Sequence, residues 1–226
     1  MDITLNYIEK GEGTPLILLH GNGESCEYFA HQTEYFSRAY RVLALDTRGH
    51  GKSPRGTAPF RIRTFADDLT AFMSEHNIEK AHVLGFSDGA NIALCFALKY
   101  PEKVEKLVLN GGNLFSAGVK PSVQLPIIFR YRLAALFAGK SEAAKKNAEM
   151  LALMVNDPNI APEELHKITA PTLVIAGTRD MIKECHTRLI YESLPNAELA
   201  IIEGDHFVAA KNPEVFNRAV ERFLAE

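Results

Sequence analysis

The chain has 226 residues, a length that suits one α/β domain with a small insertion and is short for two independent domains. Hydrophobic residues make up 46% of it and charged residues 23%, as in ordinary globular proteins. The formal net charge of -3 and the scattered basic residues give no electrostatic reason to expect nucleic acid or an anionic membrane as a partner.

The N-terminal residues and the cysteines indicate where the protein works. Residues 1–6 lack a basic segment followed by an apolar run, so we expect no signal peptide, and no later run reaches a membrane-spanning length. The cysteines Cys26, Cys95 and Cys185 are widely spaced and form no CxxC pair, which argues against disulfides and a zinc site. A cytoplasmic location is therefore expected.

The first half of the chain alternates apolar strand-like runs with helical periods. Residues 3–9 alternate in the manner of an edge strand, whereas the later runs are continuously apolar, as in strands covered on both faces. Helices are marked by the capping residue Ser25 and by an apolar face from Thr64 to His76. The predicted elements are strands at 3–9, 15–20, 41–46, 81–86 and 104–110 and helices at 25–36, 64–76 and 90–99.

The alternation of strand-like and helical patterns stops after Gly112 and resumes near residue 171. Residues 114–164 carry apolar helical patches but no strand signal, and they interrupt strands that continue afterwards. We therefore predict a helical cap at 114–164 inserted into an α/β core formed by 1–113 and 165–226. The last predicted elements are strands at 171–177 and 197–203 and helices at 183–194 and from 212 onward.

One stretch, Gly85-Phe86-Ser87-Asp88-Gly89, joins a predicted strand directly to a predicted helix. A sharp reversal of this kind brings neighbouring backbones close and forces its apex into a sparsely populated conformation, which is why it needs glycines. Ser87 at the apex would expose its hydroxyl. A helix N-cap is the plain alternative for this serine, but capping does not require glycines on both sides.

Reactive groups in a mostly parallel sheet gather at the carboxyl ends of its strands. A serine hydroxyl is a poor nucleophile at neutral pH and needs a base, whose imidazole must be held by a carboxylate. Ser87, Asp180 and His206 can supply these three groups, and no carboxylate follows the strand at 104–110. The other polar residues at strand ends are Asn22, Asp46, His50, Asn110, Asn113 and Asp205.

Plain alternatives exist for the other members of this set. Asp180 could be an ordinary turn carboxylate, and His206 could be a histidine of a surface loop. Asp205 is a rival for the acid, although adjacent side chains seldom face one another suitably. Asp88 is best explained as an acid that interacts with the dipole at a helix start, or alternatively as a group that orients substrate or raises the pKa of the base.

Five ordered motifs together resemble those of the α/β-hydrolase superfamily. They lie at 20–23, 46–53, 85–89, 176–180 and 204–207, and the resemblance covers the chain apart from the predicted cap. It is closest in kind to small esterases, enol-lactonases and valacyclovirase-like hydrolases. The resemblance implies an α/β-hydrolase fold with a mostly parallel, doubly covered sheet.

The resemblance also implies roles for single residues. Ser87 would be the nucleophile, Asp180 the acid and His206 the base of a triad, and the backbone N–H groups of Asn22 and Asp88 would form the oxyanion hole. These residues predict a serine hydrolase that cleaves a small, mostly apolar ester or lactone through an acyl-enzyme. Gly21-Asn22-Gly23 lacks the third glycine of a dinucleotide loop, and no cluster has metal-ligand spacing, so neither a cofactor nor a metal is predicted.

Substrate contacts are expected from the predicted cap. Phe115, Phe129 and Tyr131 are candidate apolar contacts, and Arg130 could meet a substrate carboxylate, although each could simply pack or be solvated. Other chemistries use the same triad: perhydrolysis or haloperoxidation without cofactor, C–C bond hydrolysis, aminopeptidase action and acyl transfer. A binding protein or receptor on the same fold is a further alternative. The oligomeric state is not predicted.

Overall fold

The computed structural model describes residues 2–226, which fold around a seven-stranded sheet. The strands are β1 (Tyr7–Lys10), β2 (Pro15–Leu19), β3 (Arg41–Leu45), β4 (Ala81–Phe86), β5 (Val104–Asn110), β6 (Thr172–Gly177) and β7 (Ala197–Ile202). Their order across the sheet is β1-β3-β2-β4-β5-β6-β7. β1 is antiparallel to β3 and the other neighbours are parallel, so β2 to β7 place their carboxyl ends at one edge. The predicted α/β-hydrolase fold is confirmed.

Helices cover both faces of this sheet. They are α1 (Ala30–Phe36), α2 (Ile62–Glu75), α3 (Asp88–Lys99), α4 (Pro121–Phe137), α5 (Glu142–Asn156), α6 (Glu184–Ser193), α7 (Val208–Lys211) and α8 (Pro213–Ala225). Helices α2, α3 and α6 share one buried cluster with the sheet, and α1, α7 and α8 share the other. The short helix α7, which begins two residues after His206, was not predicted from the sequence.

The central strands are apolar on both faces because successive side chains point to opposite sides. In β2, Leu16 and Leu18 belong to the cluster of α1 and α8, whereas Ile17 and Leu19 belong to that of α2 and α3. Such strands read as continuous apolar runs, which is why 15–20 and 41–46 were predictable. The two clusters hold the sheet between its helices and so determine the position of the edge where the parallel strands end.

A buried ion pair fixes the turn after β3. The Arg48 guanidinium is almost fully buried and donates to both carboxylate oxygens of Asp68 on α2, at 2.8 and 2.6 Å. Asp2 near the N-terminus accepts from the same guanidinium. Asp68 therefore satisfies a buried arginine whose charge would otherwise be costly to desolvate.

Helices α4 and α5 lie between β5 and β6 and pack against each other. Gln124 is the buried residue of α4, whereas several of its apolar side chains are solvent-exposed, including Phe129 at 70% and Leu136 at 78%. Helix α5 is anchored more firmly, because Leu153 is only 1% exposed and joins the core cluster under α2 and α3.

Length and apolar character decide whether a helix could cross a membrane. Crossing a bilayer takes about 20 predominantly apolar residues in helical form. Among the helices of residues 2–226, none is sufficiently long and apolar to do so.

Candidate active site

Ser87 occupies a strained turn between β4 and α3. Its φ of 53° and ψ of -118° lie in a region that L-residues rarely adopt, at a cost of about 1–3 kcal/mol. A Cβ at Gly85 would overlap the Gly89 carbonyl, and one at Gly89 would overlap the Leu19 carbonyl. The turn is held by the Ser87 N–H, which donates to the Asn110 carbonyl at 2.8 Å.

This turn exposes the serine from an otherwise buried segment. Every residue from Ala81 to Ala97 is buried except Ser87, which is partly exposed. Ser87 also precedes the first residue of α3, where unpaired N–H groups and the helix dipole favour negative charge. The backbone thus places one hydroxyl at the open edge of the sheet beside a positive helix end.

His206 and Asp180, which follow β7 and β6, form a buried pair. His206 Nδ1 lies 2.7 Å from Asp180 Oδ1, and both side chains are almost fully buried. A carboxylate can only accept, so Nδ1 carries the proton, and in the neutral ring Nε2 is an acceptor. Nε2 is buried and makes no hydrogen bond to Ser87 or to any other described residue, so it is an unoccupied acceptor.

Three contacts orient the Asp180 carboxylate and stabilise its charge. Burial alone would raise its pKa, but the hydrogen bond and charge of His206 and the backbone N–H groups of Ile182 and Gly177 lower the pKa below its ordinary value. Those N–H groups donate at 2.9 and 3.2 Å. Asp180 is therefore held as a carboxylate facing the imidazole.

The rival acid Asp205 is turned elsewhere. Its carboxylate is exposed and accepts from the Phe207 N–H at 2.9 Å and from the Lys211 ammonium. Lys211 lowers the pKa of Asp205, and the Phe207 N–H adds to this effect. The geometry thus pairs His206 with the carboxylate that lies 26 residues before it and not with its neighbour.

Packing fixes the imidazole of His206 from two sides. A Cβ at Gly111, whose φ is +64°, would lie 2.6 Å from His206 Cε1, so glycine allows the ring to approach the backbone after β5. The Phe86 ring lies 4.9 Å from the imidazole, centroid to centroid. A glycine at position 111 is therefore required by the packing of His206, and none of the five sequence motifs includes it.

The loop after β2 is held by a buried histidine. His20 Nε2 accepts the Thr47 N–H at 3.1 Å, so its proton is on Nδ1, which donates to the Gly21 carbonyl at 2.7 Å. Burial lowers the pKa of His20, which keeps this ring neutral. These contacts make His20 a turn-stabilising residue of the loop after β2.

The two predicted oxyanion donors, Asn22 and Asp88, are joined through their side chains. Asn22 Nδ2 donates to Asp88 Oδ2 at 2.8 Å. Within residues 2–226, neither backbone N–H donates to another residue. Both N–H groups are thus unpaired among the described residues, as the predicted role requires. The sequence did not predict that the Asp88 side chain is buried.

The candidate substrate contacts differ in their surroundings. Phe115 is half-buried and packs edge-on against His186, with ring centroids 4.6 Å apart. Tyr131 is also half-buried, whereas Phe129 and Arg130 on α4 are exposed. The structure therefore brings Ser87, Asp180 and His206 to one edge of the sheet but does not gather these four residues into one buried pocket.

Comparison with known proteins identifies the family. The family model described as alpha/beta hydrolase fold matches residues 14–148. A Caulobacter sp. (strain K31) protein, provisionally named carbamate hydrolase RutD, is 31% identical over 93% of this chain and 90% of its own length. The 3-oxoadipate enol-lactonase 2 of Acinetobacter baylyi is 26% identical over 99% and 94%.

A solved structure agrees with these relatives. A hydrolase from Pseudomonas aeruginosa PA01 superposes with a TM-score of 0.82 at 26% identity, covering 99% of this chain and 95% of that one. The strand order, the turn between β4 and α3 and the similarity along the whole chain agree with one another. The chain therefore belongs to the α/β-hydrolase family and is a hydrolase.

Proposed function

We propose that this protein is a serine hydrolase that cleaves a small, mostly apolar carboxylic ester or lactone through an acyl-enzyme on Ser87. The observation that carries the proposal is the buried His206–Asp180 pair, whose Nε2 has no partner in the described part of the chain. An imidazole held in this tautomer can accept the proton of a serine hydroxyl.

The first half of the proposed reaction forms the acyl-enzyme. Ser87 Oγ attacks the substrate carbonyl while its proton passes to His206 Nε2, and the carbonyl oxygen becomes an oxyanion held by the Asn22 and Asp88 N–H groups. Asp180 stabilises the imidazolium. The C–O bond to the leaving group then breaks, and His206 gives its proton to the departing alkoxide.

The second half regenerates the enzyme. Water attacks the acyl carbonyl and gives a proton to His206, and the acid product leaves as the serine oxygen takes that proton back. The same two N–H groups bind the second oxyanion. Removing one such donor in related chemistry costs about 2.7–4 kcal/mol, so the backbone at Asn22 and Asp88 matters as much as the side chains.

The relatives support this substrate class and suggest a second. The enol-lactonase is a lactone hydrolase by name, whereas the relatives provisionally named RutD suggest carbamates. Cleavage of a carbamate ester would use the same attack and the same oxyanion donors, with the alcohol or phenol as leaving group and a carbamoyl-enzyme in place of the acyl-enzyme. We propose 114–164 as the cap that selects among such substrates.

The test is turnover of a panel of short p-nitrophenyl esters, lactones and aryl carbamates by the wild type and by Ser87→Ala. We expect ester or lactone turnover that falls about 10⁴-fold or more in the variant, because the nucleophile is lost. Ser74→Ala, which removes an exposed hydroxyl on α2, is the matched control and should keep full activity. Preferential turnover of carbamates would establish the second class, and equal rates for Ser87→Ala and wild type would refute the proposal.

A further inference from the structure

The Asp88 carboxylate is buried beside the nucleophile, and both of its oxygens are used. Asp88 is only 9% exposed, Oδ2 accepts from Asn22 Nδ2 at 2.8 Å and Oδ1 accepts from Asn91 Nδ2 at 3.3 Å. Burial raises the pKa of Asp88, and the bonds from the two amides oppose that effect. An acid that only complements a helix dipole stays in water and avoids this desolvation.

The amides that bind Asp88 extend to two other segments. Asn22 Nδ2 also donates to the Met150 carbonyl of α5 at 3.0 Å. Asn91 bonds Asn113 twice, through Nδ2 to Oδ1 at 3.2 Å and through Oδ1 to the Asn113 N–H at 2.8 Å. Asp88 therefore lies at the centre of a polar network that joins the loop after β2, the start of α3, the segment after β5 and helix α5.

The backbone around Asn22 needs such a tether. Asn22 stands between Gly21 and Gly23, and Gly23 has a φ of +78°. The Gly21 carbonyl is held by His20 and its N–H by the Glu24 carboxylate, but Asn22 is attached through its side chain to Asp88 and Met150. The Asn22 N–H belongs to the same planar peptide as the Gly21 carbonyl, so His20 holds this peptide from one side and the two side-chain bonds of Asn22 hold it from the other.

We propose that Asp88 is a positioning residue, whose carboxylate orients the Asn22 backbone N–H through the Asn22 amide and makes that orientation depend on α5 being seated. The inference rests on the proposed function, because it concerns the second oxyanion donor. Asp88 contributes one donor by its own backbone and aims the other by its side chain. Because the Asn22 amide also bonds the Met150 carbonyl, the position of α5 affects the orientation of the Asn22 N–H.

The first test is steady-state kinetics of Asp88→Ala and Asp88→Asn on the best ester substrate. A misdirected donor weakens transition-state binding, so we expect kcat to fall about 10- to 100-fold in Asp88→Ala with little change in KM. Asn at position 88 still offers one oxygen to Asn22 and should recover most of the loss. Asp67→Ala, an exposed acid paired with Lys99 on the surface, should behave as wild type.

A double-mutant cycle tests whether Asp88 acts through Asn22. If it does, Asp88→Ala, Asn22→Ala and the double variant should lose similar factors in kcat, because the second substitution removes nothing further. An alkyl boronic acid, which forms a tetrahedral adduct with a serine, should bind more weakly by the same factor, whereas the carboxylic acid product should not.

Each outcome separates this inference from the proposed function. Multiplicative losses in the double variant, or a change in thermal stability or KM alone, would overturn the positioning role while leaving the serine mechanism standing. Absence of ester turnover in the wild type would overturn the proposed function and the inference with it. Shared losses in kcat and in boronic acid affinity at unchanged KM would support both.

Discussion

The carboxyl ends of β4, β6 and β7 hold their side chains by buried contacts, whereas α4 in the segment between β5 and β6 buries Gln124 and exposes much of its apolar surface. In the first region, the Asp180 carboxylate and the His206 ring are each fixed by buried contacts, and an added Cβ at Gly89 would overlap the backbone. In the second, side chains such as Leu136 are solvent-exposed. The contrast indicates that side chains at the sheet edge are held in place more firmly than those of α4; under the proposed function, the first region would set the reaction type and the second the choice of substrate.

The largest effect is expected from replacing Asp180, the carboxylate paired with His206 at the edge of the sheet. Asp180→Asn should lower kcat by about 10⁴-fold, because the amide favours the wrong imidazole tautomer and no longer stabilises the imidazolium. Asp205→Asn, which changes an exposed carboxylate bonded to Phe207 and Lys211, should alter kcat by less than about threefold, as expected for a surface charge. The reverse order of effects in steady-state assays would show that Asp205 is the acid.

A pair of glycine substitutions compares the packing of the two regions. Gly89→Ala should destabilise the fold by several kcal/mol, on the order of 3 or more, because its Cβ would overlap the Leu19 carbonyl. Gly139→Ala, after α4, has no atom within 4 Å of the added Cβ and should be neutral or stabilising by up to about 1 kcal/mol. Urea unfolding measures both, and equal effects would contradict the contrast.

Two leucines sharpen the comparison within the helical segment itself. Leu153→Ala on α5 should cost about 2–5 kcal/mol in unfolding free energy, because Leu153 is 1% exposed and packs in the core. Leu136→Ala on α4 should change it by less than about 0.5 kcal/mol, since that side chain is 78% exposed. A large cost at Leu136 in thermal or urea unfolding would mean that α4 is covered in solution.

The smallest expected effect is the pH dependence of stability that arises from His186, which bonds Leu114 at the start of the segment between β5 and β6. Burial, with a smaller contribution from Lys183, lowers the pKa of His186 from its ordinary 6.5 to about 4. Its Nε2 accepts the Leu114 N–H at 2.9 Å, which requires the unprotonated ring. Between these two pKa values the unfolded chain binds a proton that the folded protein does not, so stability is full above pH 6.5 and falls as pH decreases.

This linkage can be measured directly. From pH 7 to pH 5, His186 should account for a loss of at most about 2 kcal/mol in the free energy of unfolding. His186→Gln cannot titrate, so its loss over the same interval should be smaller than that of the wild type. Urea unfolding at the two pH values is the measurement, and identical losses would exclude His186 as a source.

Local patterns predicted the residues whose role depends on neighbours in sequence or on strand ends. Ser87 could be found because its turn needs Gly85 and Gly89, and Asp180 and His206 because parallel strands bring their ends together. The buried Asp88 network could not be found in the same way. Its partner Asn22 is 66 residues away, and an acid at a helix start is ordinarily exposed.

Two other features were missed, each for its own physical reason. The Arg48–Asp68 pair depends on long-range burial, and Asp68 alone looks like an acid suited to the first turns of a helix. Helix α7 has only four residues, too few for a periodic pattern to mark it. The ion pair thus depends on residues far apart in sequence, whereas α7 is too short to leave a local pattern.

The central claim is that Ser87 is a nucleophile activated by His206. The most direct measurement is the site of labelling by a fluorophosphonate probe, located by peptide mass spectrometry in the wild type, Ser87→Ala and His206→Ala. We predict one labelled peptide containing Ser87 in the wild type, none in Ser87→Ala and strongly slowed labelling in His206→Ala. Labelling at another residue, or no labelling of a folded wild type, would contradict the claim.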